Sequence, residues 1–246
     1  MRRKPAVEPA PAALEQNWNE ESLVSQVTQP AWRAWLYQHP AIVLGRSQWR
    51  LASAIDPQNK LEVLLRASGG GAVLVGPWML GLSVALATDH PLAAGGPVNT
   101  YCWLGEAIAA ALRQIGLDAW AISPEALAAH RAQHTAPTPA WACFGGLSPW
   151  EVLVGKQKIA GLAQVRRRHG ILLVAGILMD APPWQLLAQC LGKPPSDAHR
   201  LAELTTNCAE LCREVPASQI PARLTELLGE QIESALTIRF APIRQA

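Results

Sequence analysis

Two residues with chemically useful side chains lie near the ends of one segment, WACFGGLSPWEVLVGKQKIAGLAQVR, residues 141–166. Cys143 carries a thiol, and Lys158, fifteen residues later, carries an amine. A nucleophilic thiol needs a nearby cation or a helix N-terminus to favour the thiolate, and Lys158 is the candidate cation here. Because most lone cysteines in an apolar chain are simply buried, a catalytic and a structural interpretation both remain open.

Lys158 opens a predicted strand, KIAGLAQ, in which a charge stands among apolar and small residues. Alternation along a strand would give one face Lys158, Ala160 and Leu162, and the other face Ile159, Gly161 and Ala163. Lys158 is then either a solvated charge at a sheet edge or a pocket ammonium directed at a carbonyl or a phosphate. If the lysine lies at a pocket, shortening its side chain should cost little stability.

A triple glycine, Gly69–Gly71, lies between two predicted strands, with Arg66 just before it. The pattern is neither the Gly-x-Gly-x-x-Gly of a dinucleotide site nor a P-loop, because no helix opening or Gly-Lys-Ser/Thr follows. Three glycines allow the backbone to approach a ligand or another strand closely, and they also suit a bulged hairpin turn. Arg66 could orient an anionic or carbonyl group, or it could end a strand in solvent.

Composition limits the classes of protein that this chain can belong to. Half of its 246 residues are apolar and 16% are charged, which supports a substantial core. A net charge of +2 gives no reason to expect a nucleic-acid partner. Five cysteines without regular spacing indicate neither a disulfide framework nor a metal site. With no secretory signal and no apolar run of membrane-spanning length, we expect a cytoplasmic protein without a membrane partner.

The elements that must position these residues are predicted to form an α+β fold. Strands are predicted over 41–48, 61–68, 79–87 and 117–123, and an antiparallel meander is predicted from WEVLV, KIAGLAQVR and GILLVAGILM. Helices are predicted over 103–117, from Pro124 with Ser123 as its cap, and over 184–191, 197–212 and 221–235. A closing strand is predicted over 236–240. Residues 1–15 are expected to be a flexible tail, and 16–246 one domain with a helical segment from about 181.

Two motifs in this order, RASGGGAV at 66–73 and KIAGLAQ at 158–164, resemble the lipoate/biotin ligase and octanoyltransferase superfamily. The segment WLYQHPAIVLGRSQ at 35–48 is similar to the family's upstream motif. ACFGGLSPWEVLV resembles the branch that transfers octanoyl groups from a carrier protein or between proteins, where Cys-Phe and Ser-x-x-Glu precede the lysine motif. Cys143, Phe144, Ser148 and Glu151 match that pattern position by position.

The resemblance implies a fold and a set of roles. The fold would be α+β, with a mixed sheet folded around a tunnel for an acyl chain and flanked by helices. Cys143 would be the acyl-accepting nucleophile, and Lys158 would hold the carbonyl of the acyl group. The residues implied to bind the acyl or lipoyl group are Arg66, Gly69, Gly70, Gly71, Ala72, Gly161, Ala163 and Gln164. The implied partners are a lipoyl-domain acceptor protein and an acyl carrier protein or another acyl donor.

The chain departs from the family's pattern at two places. Val75-Gly76 stands where the family usually has His-Asp after the glycine loop, and Val174-Ala175 stands where it usually has His-Gly. The roughly 65 residues after the matched region leave little room for the accessory domain of the ligases. The Gly-Arg-Gly-Arg loop of the biotin ligases is missing from the sequence.

Three hypotheses follow. The first, favoured by Cys143, is an acyltransferase that moves octanoyl or lipoyl groups onto a lipoyl domain and requires no cofactor. The second is a lipoate-protein ligase that uses ATP and Mg²⁺, because both branches share the glycine and lysine motifs. The third is a non-catalytic protein that binds acyl groups or lipoyl domains, since both family histidines are replaced.

Overall fold

The computed structural model describes residues 8–52, 55, 60–133 and 137–237. Its strands, in chain order, are β1 Pro9–Ala10, β2 Ala31–Tyr37, β3 Ala41–Leu44, β4 Glu62–Leu65, β5 Val73–Val75, β6 Met79–Leu86, β7 Ala119–Ala121, β8 Val152–Val154, β9 Gln157–Arg167 and β10 Gly170–Leu178. Its α-helices are α1 Ala12–Glu21, α2 Trp49–Ala52, α3 Gly96–Arg113, α4 Pro124–Gln133, α5 Trp184–Cys190, α6 Pro195–Leu204, α7 Cys208–Leu211 and α8 Ile220–Thr237. The predicted α+β class is confirmed.

A seven-stranded sheet with the order β1-β2-β6-β10-β9-β8-β7 forms the centre of the fold. The β1–β2 pair is parallel and the other pairs are antiparallel, so the sheet is mixed. Strands β8, β9 and β10 form the predicted antiparallel meander, which is therefore confirmed. A second sheet has the order β4-β3-β5.

The two faces of the large sheet are covered differently. On one face, alternate residues of β6 and β10 such as Leu82 and Leu173 pack with α3 and α8. On the other face, Trp35, Tyr37 and Met79 pack with the second sheet and with helices α5 and α6. Strands β6 and β10 therefore bury side chains on both faces, which explains their nearly continuous apolar sequences. The candidate site lies on the second face.

Helix boundaries differ from the predictions where backbone turns override apolar periodicity. Helix α3 begins at Gly96, seven residues before the predicted start, because Gly95 and Gly96 with positive φ and Pro97 in the first turn set its N-terminus. It ends at Arg113, just before a turn that closes at Gly116, with φ +86°. Ser123 Oγ accepts a hydrogen bond from the Ala126 N–H, which confirms the predicted cap of α4.

The helix predicted over 197–212 is two helices, α6 and α7. Thr205 adopts an extended conformation and pairs with Lys158 of β9, while the Thr206 N–H donates to the Lys158 carbonyl oxygen. Asn207 then caps α7 by accepting from the Glu210 N–H. A pairing between distant parts of the chain thus interrupts the helix, so the single-helix prediction was wrong.

The chain termini also differ from the predictions. The expected flexible tail reaches residue 15, but Pro9–Ala10 pair with β2 and helix α1 starts at Ala12. That boundary was wrong because contacts with distant residues order a Pro/Ala-rich stretch. The predicted closing strand starts inside α8, and its residues 238–240 lie outside the described part. Across the described ranges, no helix has the length and apolarity that a bilayer span requires.

Candidate active site

Cys143 opens a short 3-10 turn, Cys143–Gly145, and its side chain is half-buried. Its backbone N–H donates to the Ala72 carbonyl oxygen at 2.8 Å, and the Ala72 N–H donates to the Trp141 carbonyl oxygen at 2.7 Å. Gln48 Nε2 also donates to the Trp141 carbonyl oxygen, at 2.8 Å. The backbone at Trp141 and Cys143 is therefore held by Ala72, which follows the glycine triplet just before β5, and by Gln48.

The glycine triplet serves a close approach between two backbone segments. A Cβ on Gly71 would lie 2.6 Å from the Trp141 carbonyl oxygen and 2.7 Å from the Cys143 nitrogen. Only glycine fits at this distance. Arg66 holds the same loop, because its guanidinium donates to the carbonyl oxygen of Gly69 at 3.0 and 3.2 Å and to that of Gly71 at 2.7 Å. The triplet thus supports the Cys143 turn.

Lys158 is buried, with 1% of its surface exposed, although it carries a charge. Its Nζ donates to the carbonyl oxygens of Cys143 and Gly146 at 2.9 and 3.1 Å, and it lies 2.7 Å from Glu151 Oε1. The ammonium also lies 5.0 Å from the centroid of the Phe144 ring. Three acceptors thus match its three donors, and burial excludes the solvated edge charge, which was one of the two alternatives that the sequence left open.

Glu151 is the buried counter-ion of Lys158 and closes a turn with Ser148. Its Oε2 accepts from the Ser148 N–H at 2.8 Å, and its Oε1 accepts from the Leu162 N–H at 3.3 Å. Burial raises the pKa of Glu151, and the nearby Lys158 ammonium opposes that shift. Trp150, directly before it, has a φ of 67°, a left-handed conformation that is uncommon outside glycine. The Ser-x-x-Glu motif therefore positions a carboxylate beside Lys158.

Lys158 and Gly161 share a face of the sheet, contrary to strict alternation along β9. A β-bulge between β8 and β9 shifts the register, so that Val152 pairs with Ala160 while Leu153 pairs with Lys158. A Cβ on Gly161 would lie 3.2 Å from Lys158 Cε and 3.6 Å from Cys143 Sγ. The bulge thus places the amine and the thiol over the same glycine.

A pocket opens beside Cys143 between the large sheet, the second sheet and helix α1. Its empty space, which includes the open mouth, is about 660 Å³. The apolar part of its wall includes Val43, Val73, Val75, Met79, Phe144, Leu172 and Val174. Two of these, Val75 and Val174, stand at the positions where the family resemblance led us to expect histidines.

The structure places the predicted acyl-binding residues in two groups. Arg66, Cys143, Gly161 and Ala163 line the pocket. The remaining predicted residues, of those described, are not among the lining residues: Gly69, Gly70, Gly71, Ala72, Lys158 and Gln164. Gln164 Nε2 instead donates to the Pro97 carbonyl oxygen at 2.7 Å. The roles predicted for the residues of both groups remain predictions.

Three glycines in adjacent strands form a row that the sequence analysis missed. Gly161 of β9 pairs with Gly176 of β10, which pairs with Gly81 of β6. Lys158 and Cys143 lie over the first of these glycines, Met79 Sδ over the second and the Tyr37 hydroxyl over the third. A single glycine inside each of three apolar strands was the available signal, because such a glycine often marks a close approach.

Polar residues of α1 and β2 were also missed. Glu15, Asn19 and Tyr37 line the pocket and are buried, and Ser68 joins them from the loop after β4. Glu15 falls within the stretch that was expected to be a flexible tail. Within the described ranges, no cluster of three or more His, Cys, Asp or Glu side chains could hold a metal ion.

The fold and the site together define a class of protein: an α+β domain with an apolar pocket and a thiol at its wall, suited to binding an acyl chain. Comparison of sequences then identifies the family. Residues 13–228 match the lipoyl protein ligase A/B catalytic domain, so the chain belongs to this family. The predicted family resemblance is confirmed.

Curated relatives are about 30% identical to this chain over the aligned residues. The octanoyltransferase LipM of Moorella thermoacetica is 30% identical over 213 residues, which cover 85% of this chain and 71% of the relative. The octanoyltransferase LipM of Kyrpidia tusciae is 33% identical over 180 residues, covering 72% of this chain and 64% of the relative. The chain spans slightly less than two thirds of the length of the second relative.

Solved structures support the fold. A bi-partite lipoate protein ligase from Thermoplasma acidophilum, described with its E2 lipoyl domain, has a TM-score of 0.64 at 19% identity, covering 96% of this chain and 84% of that chain. A lipoate-protein ligase A bound with ATP has a TM-score of 0.62 at 18% identity, covering 95% and 86%. At these identities the likeness shows that the chain shares the catalytic-domain fold of the lipoate ligases.

Proposed function

We propose that this chain transfers an octanoyl group from a thioester donor to a lysine of a lipoyl domain, through a thioester on Cys143. The observation that carries the proposal is the half-buried Cys143 thiol at the wall of an apolar pocket, with its backbone held by Lys158 and the glycine loop. The relatives named octanoyltransferase support the same reaction.

Transfer takes two steps. The Cys143 thiolate attacks the acyl carbonyl, an Sγ–C bond forms, and the C–S bond of the donor breaks, so that the donor leaves as a thiolate. The neutral amine of the acceptor lysine then attacks the enzyme thioester. An amide bond forms, the Sγ–C bond breaks, and the proton lost by the amine balances the released thiolate.

In this scheme the main role of Lys158 is to position the protein backbone around the thiol. Its ammonium binds the carbonyl oxygens of Cys143 and Gly146, so it fixes the turn that carries the thiol. Glu151 holds the ammonium in that place. For Lys158 to bind the carbonyl of an acyl group, as the family resemblance implied, the acyl oxygen would have to replace one of these partners.

The proposed reaction needs no nucleotide, because a thioester donor is already activated. An acyl carrier protein is the proposed donor, and a lipoyl domain is the proposed acceptor. Val75 and Val174 make the pocket wall apolar, which suits an alkyl chain better than a triphosphate. An ATP-dependent lipoate ligase would instead activate a free acid through an acyl-adenylate.

Intact-mass measurement with octanoyl carrier protein tests the proposal. We expect one octanoyl mass on the protein, removed by hydroxylamine, and transfer to an added lipoyl domain without ATP. Cys143→Ala should abolish both the adduct and transfer, and Cys143→Ser should give a hydroxylamine-stable ester. Cys102→Ala is the matched control, since Cys102 is another half-buried thiol, on α3, and should behave as wild type.

Two results would contradict the proposal. One is an acyl adduct that persists in Cys143→Ala. The other is pyrophosphate release from ATP that depends on free lipoate, which would favour the ligase. If neither chemistry occurs and the protein only binds the lipoyl domain, the non-catalytic hypothesis takes its place.

A further inference from the structure

Helix α1 and strand β2 bring three buried polar side chains to the wall of the apolar pocket. The exposed fractions of Glu15, Asn19 and Tyr37 are 6%, 4% and 4%. The Tyr37 hydroxyl donates to Glu15 Oε2 at 2.7 Å, and Gln16 Nε2 donates to the same oxygen at 3.2 Å. We call Glu15, Asn19 and Tyr37 the Glu15 cluster.

One atom of the Glu15 cluster has no hydrogen-bond partner. The Oδ1 atom of Asn19 is buried and pairs with no atom of the described residues. A buried carbonyl oxygen without a partner is rare in native proteins, because it has lost its bonds to water. Since Asn19 lines the pocket, a ligand with an N–H, O–H or S–H group could supply the missing donor.

Charge at this end of the pocket favours a neutral donor. Burial raises the pKa of Glu15 to about 7, so this carboxyl is largely uncharged in slightly acidic solution. The Arg66 guanidinium, the nearby cation, donates to the carbonyl oxygens of Gly69 and Gly71. In slightly acidic solution the cluster offers Asn19 Oδ1 as an acceptor for a neutral donor.

The glycine row sets the distance between this cluster and the thiol. Cys143 Sγ lies near Gly161, and the Tyr37 hydroxyl lies over Gly81, two strands away. Adjacent strands are about 4.8 Å apart, so the two places are separated by roughly 10 Å. An extended octanoyl chain attached at Cys143 has about this length.

We propose that the pocket recognises acyl chains that carry a hydrogen-bond donor, a hydroxyl or a thiol, at the end distant from the carbonyl, through Asn19 Oδ1. The inference rests on the proposed function, and it narrows the substrate class of the same pocket. An unsubstituted octanoyl chain fills the apolar part and leaves Asn19 Oδ1 unpaired. A chain with a terminal donor fills the same space and completes the bond.

Calorimetric binding of free acids tests this subsite without requiring transfer. The probes are octanoic acid, ω-hydroxyoctanoic acid and ω-methoxyoctanoic acid, the last of which has a terminal acceptor but no donor. For the wild type we expect the hydroxy acid to bind about fivefold to tenfold more tightly than either other acid, the effect of one buried hydrogen bond. Asn19→Leu should remove or reverse this preference.

Asn17→Leu is the matched control, because Asn17 is exposed on the same helix and should keep the preference. Equal binding of the three acids by the wild type, or an unchanged preference in Asn19→Leu, overturns the subsite while leaving the proposed function in place. Failure of the wild type to bind any of the acids overturns the acyl pocket itself and the subsite with it. The comparison of the three acids on the wild type does not depend on the variants' folding.

Discussion

Two groups of buried polar side chains lie near the same pocket, and they differ in whether their hydrogen bonds are complete. Around Lys158, each of the three ammonium donors has an acceptor, and both carboxylate oxygens of Glu151 are bonded. In the Glu15 cluster, Asn19 Oδ1 has no partner. We call the first group, Lys158 and Glu151 with the carbonyls of Cys143 and Gly146, the Lys158 cluster.

The difference indicates different roles. A complete network rigidifies its surroundings, and it gains little from a ligand, because each new bond must replace an existing one. An incomplete network improves when a ligand supplies the missing group. The Lys158 cluster therefore suits the positioning of the thiol, and the Glu15 cluster suits the recognition of substrate.

The largest expected effect comes from breaking the complete network. Lys158→Ala leaves the Glu151 carboxylate buried without its cation, which costs about 3–5 kcal/mol of unfolding free energy. The sequence alone led us to expect that shortening this lysine costs little stability. The structure leads us to expect a large loss of unfolding free energy instead. Urea unfolding of the two proteins measures the effect, and octanoyl transfer should fall with it as the Cys143 turn loosens.

Lys156→Ala is the control, because this lysine is exposed two residues earlier and should change stability by no more than about 0.5 kcal/mol. A second variant that also replaces Glu151 by Leu should regain part of the loss, since no charge then remains buried. Wild-type stability in Lys158→Ala alone would mean that the ammonium does not hold this turn together.

The second prediction concerns the pH dependence of stability in the Glu15 cluster. Glu15 has a pKa of about 7 in the folded protein against 4.5 as its ordinary value, so the folded state holds this proton more tightly than the unfolded state. This stabilisation is fully present below pH 4.5 and is lost as the pH rises through 7. It amounts to about 3 kcal/mol, because a tenfold change in proton affinity corresponds to about 1.4 kcal/mol.

Glu15→Gln keeps the shape of the protonated acid and cannot titrate. The unfolding free energy of the wild type should therefore fall relative to Glu15→Gln between pH 4.5 and pH 7, as denaturant titrations at several pH values would show. Glu21→Gln, at an exposed position of the same helix, should run parallel to the wild type. Parallel curves for Glu15→Gln as well would mean that Glu15 is not protonated in the fold.

The sequence indicated one of these clusters and missed the other for a physical reason. Cys143, Glu151 and Lys158 lie within one motif, and the local β-meander brings them together, so a pattern along the chain was enough. The Glu15 cluster depends on contacts between α1 and β2, across a stretch whose Pro/Ala-rich composition indicated a flexible tail. Composition carries no information about such pairings between distant residues.

The same distinction separates the correct fold predictions from the wrong ones. The meander and the cap of α4 follow from apolar runs and a Ser-Pro start, which are local signals. The break between α6 and α7 follows from pairing of Thr205 with β9, and the shared face of Lys158 and Gly161 follows from a bulge. Neither the pairing nor the bulge has a marker in the sequence.

The smallest expected effect concerns the glycine loop, which is the second support of the Cys143 turn. Gly71→Ala places a Cβ 2.5–2.7 Å from the backbone of residues 141–143, so one of the two segments must shift. Overpacking of this kind costs about 1–3 kcal/mol. Because the shift moves the thiol, the rate of Cys143 acylation should fall by more than the loss of unfolding free energy alone would cause. Intact mass over time measures this rate.

Gly69→Ala is the matched control within the same triplet, because a Cβ at this position has no atom within 4 Å. Both variants carry the same chemical change in the same loop, so the comparison isolates the contact with residues 141–143. We expect Gly69→Ala to acylate at the wild-type rate. Equal loss in both variants would favour the predicted role of the triplet as part of the acyl-binding surface over its role as a support for the Cys143 turn.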